Sequence, residues 1–113
     1  MFSGIVQEYS KSVSKETKSY GISLSVGVSK KFTKGLKKGD SIAVNGVCLT
    51  VKRFTPEKVF FDVIHESLKL TNLGYLNLKV PVNLERSLKL GDEIGGHLVS
   101  GHIHAKAKVC LLY

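Results

Sequence analysis

The hydrophobic positions of this chain recur mostly with a period of two. Alternation of apolar and polar side chains over short runs predicts half-buried β-strands. Runs of this kind occupy six stretches of the sequence, at residues 4–9, 20–27, 41–45, 47–53, 58–64 and 79–85. Short strands at such close spacing are typical of a small antiparallel barrel, so the pattern predicts an all-β fold.

Turn and helix signals separate these strands. Asn45-Gly46, between two apolar runs, indicates a tight hairpin turn, and Pro81 indicates an edge position or a bulge in its strand. Within residues 28–40, the four-residue spacing of Phe32 and Leu36, with Ser29 as a candidate N-cap, predicts a single helical turn. Residues 65–74 are the one helix candidate and end at a glycine. The polar stretch 11–19 is expected to be a loop.

The two ends of the sequence resemble each other. FSGIVQEYSKSV at residues 2–13 and VSGHIHAKAKV at residues 99–109 both begin with an apolar residue followed by Ser-Gly. Their separation is the length of a domain rather than of a solenoid repeat. The similarity predicts one barrel over residues 1–97, with 98–113 as the start of a second, truncated repeat; chance similarity of two short strands is the alternative.

The fourth and fifth predicted strands carry polar residues on one face. Matching their apolar faces, as sheet register requires, places Thr50 opposite Asp62 and groups both with Cys48 and Ile64. A thiol, a hydroxyl, a carboxylate and an aliphatic side chain on one patch suit a flat, polar small molecule. The alternative is a half-exposed strand face whose polar side chains are simply solvated.

Charge and cysteine content restrict the choice of partners. The net charge of +8 raises nucleic acid as a partner, but all except two of the 17 basic residues are lysine, which lacks the guanidinium fork preferred for phosphate and base recognition. A solvated lysine-rich surface is favoured, with a basic nucleic-acid-binding barrel as the alternative. Two cysteines, no visible secretory signal and no apolar run of membrane length favour a reduced, cytoplasmic protein without membrane contact.

A histidine cluster near the C-terminus is the remaining candidate for site chemistry. His97, His102 and His104, followed by Cys110, match no standard zinc-site spacing. Structural or ligand-contacting histidines are therefore favoured, and no metal ligand is predicted.

Four motifs together carry a resemblance to a known family. MFSGIV, SIAVNGVCLTV, FFDVIHESLKLTNLG and VNLERSLKLGDEIGGHLVSGH occur in this order and resemble the N-terminal half of riboflavin synthase of the alpha-chain type. A weaker resemblance extends to lumazine proteins, which are non-catalytic relatives. The family implies two similar six-stranded antiparallel Greek-key barrels in one chain, followed by a C-terminal helix that assembles a trimer. For this chain, the expected fold is therefore all-β: a six-stranded antiparallel Greek-key barrel with one or two short helices.

The resemblance also implies a reaction. Two molecules of 6,7-dimethyl-8-ribityllumazine exchange a four-carbon unit, giving riboflavin and a ribitylaminopyrimidinedione, with no metal or redox cofactor. The protein's contribution would be mainly to hold two flat rings face to face. The implied partners are the lumazine and riboflavin, with no nucleic acid. The chain alone is expected to bind ligand, to turn over poorly or not at all, and to pair with itself; a binding module without catalysis is the alternative.

Carried over by motif, the resemblance assigns individual residues. The implied catalytic residues are Phe2, Ser41, Cys48 and His102. The implied substrate-binding residues are Gly4, Val6, Cys48, Thr50, Asp62, Ile64, Ser67 and His97. Thr50 and Asp62 would hold the ribityl chain or the pyrimidine edge, and Ser67 stands where threonine is common in the family.

Overall fold

A computed structural model describes residues 1–76 and 80–110 of the chain. Within them lie eight strands, one α-helix and one short 3-10 helix. The strands are β1 Glu8–Ser10, β2 Val13–Lys18, β3 Gly21–Gly27, β4 Ser41–Val44, β5 Val47–Thr50, β6 Arg53–Thr55, β7 Lys58–Ile64 and β8 Val82–Arg86. The helix α1 spans His65–Leu70, and the 3-10 helix spans Leu73–Tyr75.

The strands form two antiparallel four-stranded sheets around one core. The first sheet has the order β1-β8-β4-β5, and the second has the order β2-β3-β7-β6. Inward-facing aliphatic and aromatic side chains of both sheets form a continuous buried cluster, which includes Leu24, Val44, Val59 and Phe61. β5 lies in contact with β7, where the two sheets approach each other. The predicted all-β, antiparallel, barrel-like fold is confirmed.

The predicted loop at 11–19 is wrong, because most of it forms β2. β2 pairs with β3 along its whole length, from Val13 opposite Val26 to Lys18 opposite Gly21. Val13 is its one buried side chain, so the strand lacks the alternation from which strands are predicted. Backbone pairing with a buried neighbour stabilises it instead. The turn into β3 needs Gly21, whose φ is +148° and where a Cβ would lie 2.0 Å from the Val63 carbonyl oxygen.

The predicted pairing of Thr50 with Asp62 is also wrong. Thr50 lies opposite Ser41 in the first sheet, and Asp62 lies opposite Ser23 in the second. The predicted strand 47–53 divides because the chain passes between sheets: the Val51 N–H donates to the Asp40 carbonyl oxygen (2.8 Å) and the next N–H donates to the Phe60 carbonyl oxygen (2.9 Å).

The strand that follows this crossing, β6, pairs with β7, and the turn between them sets their register. Residues 56 and 57 form a two-residue hairpin loop, which places Thr55 opposite Lys58 and Arg53 opposite Phe60. This alignment differs by one residue from the predicted match of apolar faces. The turn therefore decides the register, as it does in short hairpins generally.

The predictions of local turns and helices agree with the structure, unlike the predicted pairing of Thr50 with Asp62. Asn45 and Gly46 both have positive φ (50° and 78°), as the predicted tight β4–β5 turn requires. In the predicted turn within residues 28–40, the Ser29 Oγ accepts the Phe32 N–H (3.1 Å), as an N-cap does. The helix predicted over 65–74 is α1 followed, after a break, by the 3-10 helix.

Pro81 precedes a strand rather than lying within one. β8 begins at Val82 and lies between β1 and β4, so it is an inner strand. The predicted edge position is therefore wrong, and residue 79 of the predicted strand falls outside the described residues. Among the described residues, no helix is long and apolar enough to cross a membrane.

Candidate functional site

A buried carboxylate fixes the start of the chain to the first sheet. The Glu85 carboxylate accepts hydrogen bonds from the Ser3 N–H (2.7 Å), the Ser3 hydroxyl (3.0 Å) and the Gly4 N–H (3.1 Å). Glu85 is only 6% exposed, so these bonds satisfy a charge that would otherwise be costly to bury. The first Ser-Gly segment (residues 2–6) is thereby held beside β8.

The second Ser-Gly segment (residues 99–103) crosses the first one. Phe2 and Val99 form an antiparallel bridge, with N–H···O distances of 2.8 and 2.9 Å in the two directions. Two residues on, the Gly101 carbonyl oxygen accepts the Cys48 N–H (2.8 Å). A Cβ on Gly101 would lie 2.9 Å from the Cys48 Cβ and 3.1 Å from Cε2 of the Phe2 ring. Glycine is therefore required where Phe2, Cys48 and residue 101 meet.

Two cavities flank this crossing. The Cys48 cavity, of about 210 Å³, has polar lining from Cys48, Ser67, Thr71 and His102, and apolar lining that includes Leu70 and Ile103. The Phe2 cavity, of about 240 Å³, is lined by Phe2, Gly4, Val6, Ala43, Glu85 and Val99, among others. The first cavity offers several hydrogen-bonding groups beside aliphatic surface, a combination that suits a small polar heterocycle.

α1 supplies one wall of the Cys48 cavity. Ser67 lies in α1 and is half-buried. The Thr71 hydroxyl at the end of the helix donates to the Ser67 carbonyl oxygen (2.7 Å) and accepts the Leu73 N–H (3.2 Å). Because the Thr71 hydroxyl is engaged in holding the helix end, Ser67 and His102 are the better candidates for ligand contacts.

The outward face of β5 begins at this cavity, which Cys48 lines, and β7 leads directly into α1, which forms a wall of the cavity. Cys48 and Thr50 share the outward face of β5, while Asp62 and Ile64 share that of β7, as their alternation with buried neighbours shows. Asp62 is held from two sides: the Tyr20 hydroxyl donates to Oδ1 (2.5 Å), and the Lys52 Nζ lies 3.0 Å from Oδ2.

These contacts set the charge at Asp62. The hydrogen bond from Tyr20, and then the hydrogen bond and charge of Lys52, hold the pKa of Asp62 below its ordinary value. The same hydrogen bond raises the pKa of Tyr20. Asp62 is therefore an ionised acceptor at neutral pH.

The structure brings together some of the predicted site residues and separates others. Cys48, Ser67 and His102 line one cavity, whereas Phe2, Gly4 and Val6 line the other. Ser41 lies in β4 opposite Thr50. His97 is exposed, and its N–H donates to the Ser3 carbonyl oxygen (2.9 Å).

Two important residues were missed from the sequence. Glu85 anchors the first Ser-Gly segment, and Gly101 makes the close approach to Cys48. The repeated Ser-Gly pair was the available signal for Gly101. Glu85 is a charged residue in a predicted strand, and no feature of the sequence indicated that it is buried. Among the described residues, no group of three or more His, Cys, Asp or Glu side chains is placed to hold a metal ion.

Comparison with known proteins gives consistent matches. The model of the family described as "Lumazine binding domain" matches residues 3–87. Riboflavin synthase of Chlamydia pneumoniae is 46% identical over 99% of this chain and 56% of its own length. Riboflavin synthase of Escherichia coli strain K12 is 46% identical over 96% of this chain and 51% of its own length. The chain thus spans about half the length of these curated relatives.

Two solved structures also match most of this chain and a little over half of their own length. A crystal structure of LumP complexed with riboflavin has a TM-score of 0.81 and 28% identity, covering 93% of this chain and 56% of that one. A crystal structure of LumP complexed with 6,7-dimethyl-8-(1'-D-ribityl) lumazine has a TM-score of 0.80 and 27% identity, covering 93% of this chain and 58% of that one.

Proposed function

Because this chain belongs to the lumazine-binding domain family, we propose that it binds 6,7-dimethyl-8-ribityllumazine and riboflavin as the N-terminal half of a riboflavin synthase. The resemblance inferred from the sequence motifs is confirmed by the family match and by relatives named riboflavin synthase. Structures of LumP with riboflavin and with the lumazine support this ligand class.

One observation carries the choice of site: the second Ser-Gly segment crosses Cys48 and thereby encloses the Cys48 cavity with His102 and Ser67. The cavity, at about 210 Å³, is smaller than the roughly 300–1,000 Å³ of typical ligand sites. We therefore place only the heterocycle's edge in it. The rest of the ring and the ribityl chain would lie along the outward faces of β5 and β7.

Each residue then has a role in the proposal. Ser67 and His102 present hydrogen-bonding groups to the heteroatoms of the ring, and Ile64, which is 55% exposed, covers its face. Thr50 and the ionised Asp62 bind hydroxyl groups of the ribityl chain. Cys48 acts as a packing contact.

The other predicted residues fit an indirect role. The Phe2 ring is 1% exposed and lies against Gly101, so Phe2 positions the second Ser-Gly segment rather than contacting ligand. Gly4 and Val6 lie at the other cavity, and Ser41 supports Thr50 across the β4–β5 pair. His97 stays a predicted contact whose backbone is fixed to Ser3.

Catalysis belongs to the proposal for the complete enzyme. There the protein would dismutate two lumazines, and this chain alone, which supplies half the length of its relatives, is expected to show little or no turnover. A cytoplasmic location is part of the same proposal; Cys48 and Cys110 are both free thiols.

Both arginines are already engaged within the fold, which weighs against the nucleic-acid alternative. The Arg53 guanidinium stacks over the Phe60 ring, 3.6 Å from its centroid. Arg86 Nη1 donates to the Lys34 and Phe32 carbonyl oxygens (2.5 and 3.3 Å). The two side chains best suited to bind phosphates and bases thus already have partners within the fold.

Titration of riboflavin into the purified chain, followed by the ligand's own fluorescence, tests the proposal. We expect a saturable change with one ligand per chain. Ser67→Ala removes one hydrogen bond, worth about 1 kcal/mol, and should weaken binding about fivefold. Ser14→Ala, on the exposed face of β2, is the matched control and should bind like the parent.

Two outcomes would count against different parts of the proposal. Absence of saturation with both riboflavin and the lumazine would refute the binding function. Saturable binding that Ser67→Ala leaves unchanged would instead refute the assignment of the Cys48 cavity. Conversion of the lumazine to riboflavin by this chain at the rate of a full-length relative would refute the expected loss of turnover.

A further inference from the structure

The turn between β2 and β3 is fixed in place beside the end of β7. At the start of α1, the His65 N–H donates to the Tyr20 carbonyl oxygen (3.0 Å). The His65 Nε2 lies 3.0 Å from the Ser19 carbonyl oxygen, and it is the donor because a carbonyl oxygen can only accept. A Cβ on Gly21, the next residue, would lie 2.0 Å from the Val63 carbonyl oxygen. The backbone of Tyr20 is therefore held against both α1 and β7.

From this fixed turn the Tyr20 side chain reaches Asp62. Its hydroxyl donates to Asp62 Oδ1 (2.5 Å). The Lys52 ammonium group reaches the same carboxylate from the point where the chain crosses between the sheets, and it lies 3.2 Å from Oδ1 and 3.0 Å from Oδ2. The carboxylate is thus bound to two segments that are separate from its own strand.

The two oxygens of this carboxylate are not equally occupied. A carboxylate oxygen can accept about two hydrogen bonds. Within residues 1–76 and 80–110, Oδ1 has two partners, the Tyr20 hydroxyl and Lys52 Nζ, whereas Oδ2 has Lys52 Nζ alone. The Asp62 side chain is 37% exposed, which leaves room for a hydroxyl group to approach Oδ2 from outside the protein.

Tyr20 also restricts the conformation of the Asp62 side chain. An unrestrained aspartate samples up to three staggered χ1 rotamers, and a hydroxyl fixed by the turn favours the one in which Oδ1 meets it. A side chain already in its binding conformation has less to lose in ordering when a ligand binds. Lys52 is the weaker restraint, because its own side chain is long, flexible and 49% exposed.

Resting on the proposed function, we propose that Tyr20 is a positioning residue for the ribityl chain of the ligand. Tyr20 holds the Asp62 carboxylate so that Oδ2 accepts a ribityl hydroxyl group. It acts through Asp62 and makes no contact with the ring. Tyr20 therefore strengthens the binding of ligands that carry a ribityl chain and leaves the binding of the ring itself unchanged.

Two flavins with the same ring separate this role from a general effect. Riboflavin carries the ribityl chain, whereas lumiflavin has a methyl group in its place. If Tyr20→Phe lets Asp62 sample three rotamers equally, the riboflavin dissociation constant, measured by flavin fluorescence, should rise about threefold. The lumiflavin dissociation constant should not change. Tyr9→Phe is the matched control: it removes the hydroxyl of an exposed tyrosine in β1 and should bind both flavins like the parent chain.

A double-mutant cycle and a measurement without ligand complete the test. In an Asp62→Ala background, Tyr20→Phe should have no further effect on riboflavin binding. In the ligand-free chain, three-bond NMR couplings should show one dominant Asp62 χ1 rotamer in the parent and averaging in Tyr20→Phe.

Several results would overturn the positioning role while leaving the binding function in place. These are unchanged riboflavin binding in Tyr20→Phe, equal weakening of both flavins, an effect that persists without Asp62, or unchanged χ1 populations. A parent chain that binds neither flavin would instead refute the proposed function, and this inference with it.

Discussion

Replacing Glu85 by glutamine should release the first Ser-Gly segment from the barrel. The substitution keeps the side chain's shape but replaces one of its two oxygens by an NH₂ group. With the remaining oxygen facing Ser3, the bonds from the Ser3 N–H (2.7 Å) and hydroxyl (3.0 Å) lose a charged acceptor, and the Gly4 N–H (3.1 Å) loses its acceptor altogether. A hydrogen bond to a charged group contributes about 1.5–3 kcal/mol, and one between neutral groups about 0.5–1.5 kcal/mol. Removing a buried charge offsets part of this loss. We expect the free energy of unfolding to fall by about 2–4 kcal/mol.

Urea denaturation measures the global change, and hydrogen exchange locates it. The Val99 N–H, which donates to the Phe2 carbonyl oxygen, should lose protection along with the segment. Glu66→Gln is the matched control, because Glu66 is exposed in α1 and its substitution should change the stability by less than about 0.5 kcal/mol. A Glu85→Gln variant as stable as this control, with Val99 still protected, would refute the anchoring role.

Two further variants test the proposed ligand contacts on the outward faces of β5 and β7. Cys48→Ser should keep most of the riboflavin affinity in the fluorescence titration, because the thiol is assigned a packing contact; a complete loss of binding would contradict that assignment. Tyr20→Phe removes the largest cause of the lowered pKa of Asp62, so this pKa should rise toward its ordinary value in a carbon-detected NMR titration. A carboxylate whose folded-state pKa lies below its unfolded value contributes stability that is fully present above the unfolded pKa and is lost as the pH falls through the folded-state pKa. Because the variant narrows the gap between the two pKa values of Asp62, its stability should fall less than that of the parent chain on going from neutral to acid pH. An unchanged pKa of Asp62 would refute the coupling.

Much of the fold could be predicted because its signals are local. From Ile22 onward β3 alternates between buried and less buried side chains, as β7 does along its whole length, and Asn45-Gly46 specifies its hairpin turn through backbone preference alone. β2 was missed because a single buried side chain, Val13, gives no period. Its partner β3 supplies the stabilisation, and a strand's partner is not visible in its own residues.

The site was only partly predictable for a related reason. The outward direction of Cys48 and Asp62 follows from alternation, but the sheet to which each belongs depends on where the chain crosses between sheets at Val51. Apolar matching alone gave a register shifted by one residue, which the two-residue loop after Thr55 forbids. Glu85 and Gly101 act across more than fifty residues of chain, beyond any local pattern.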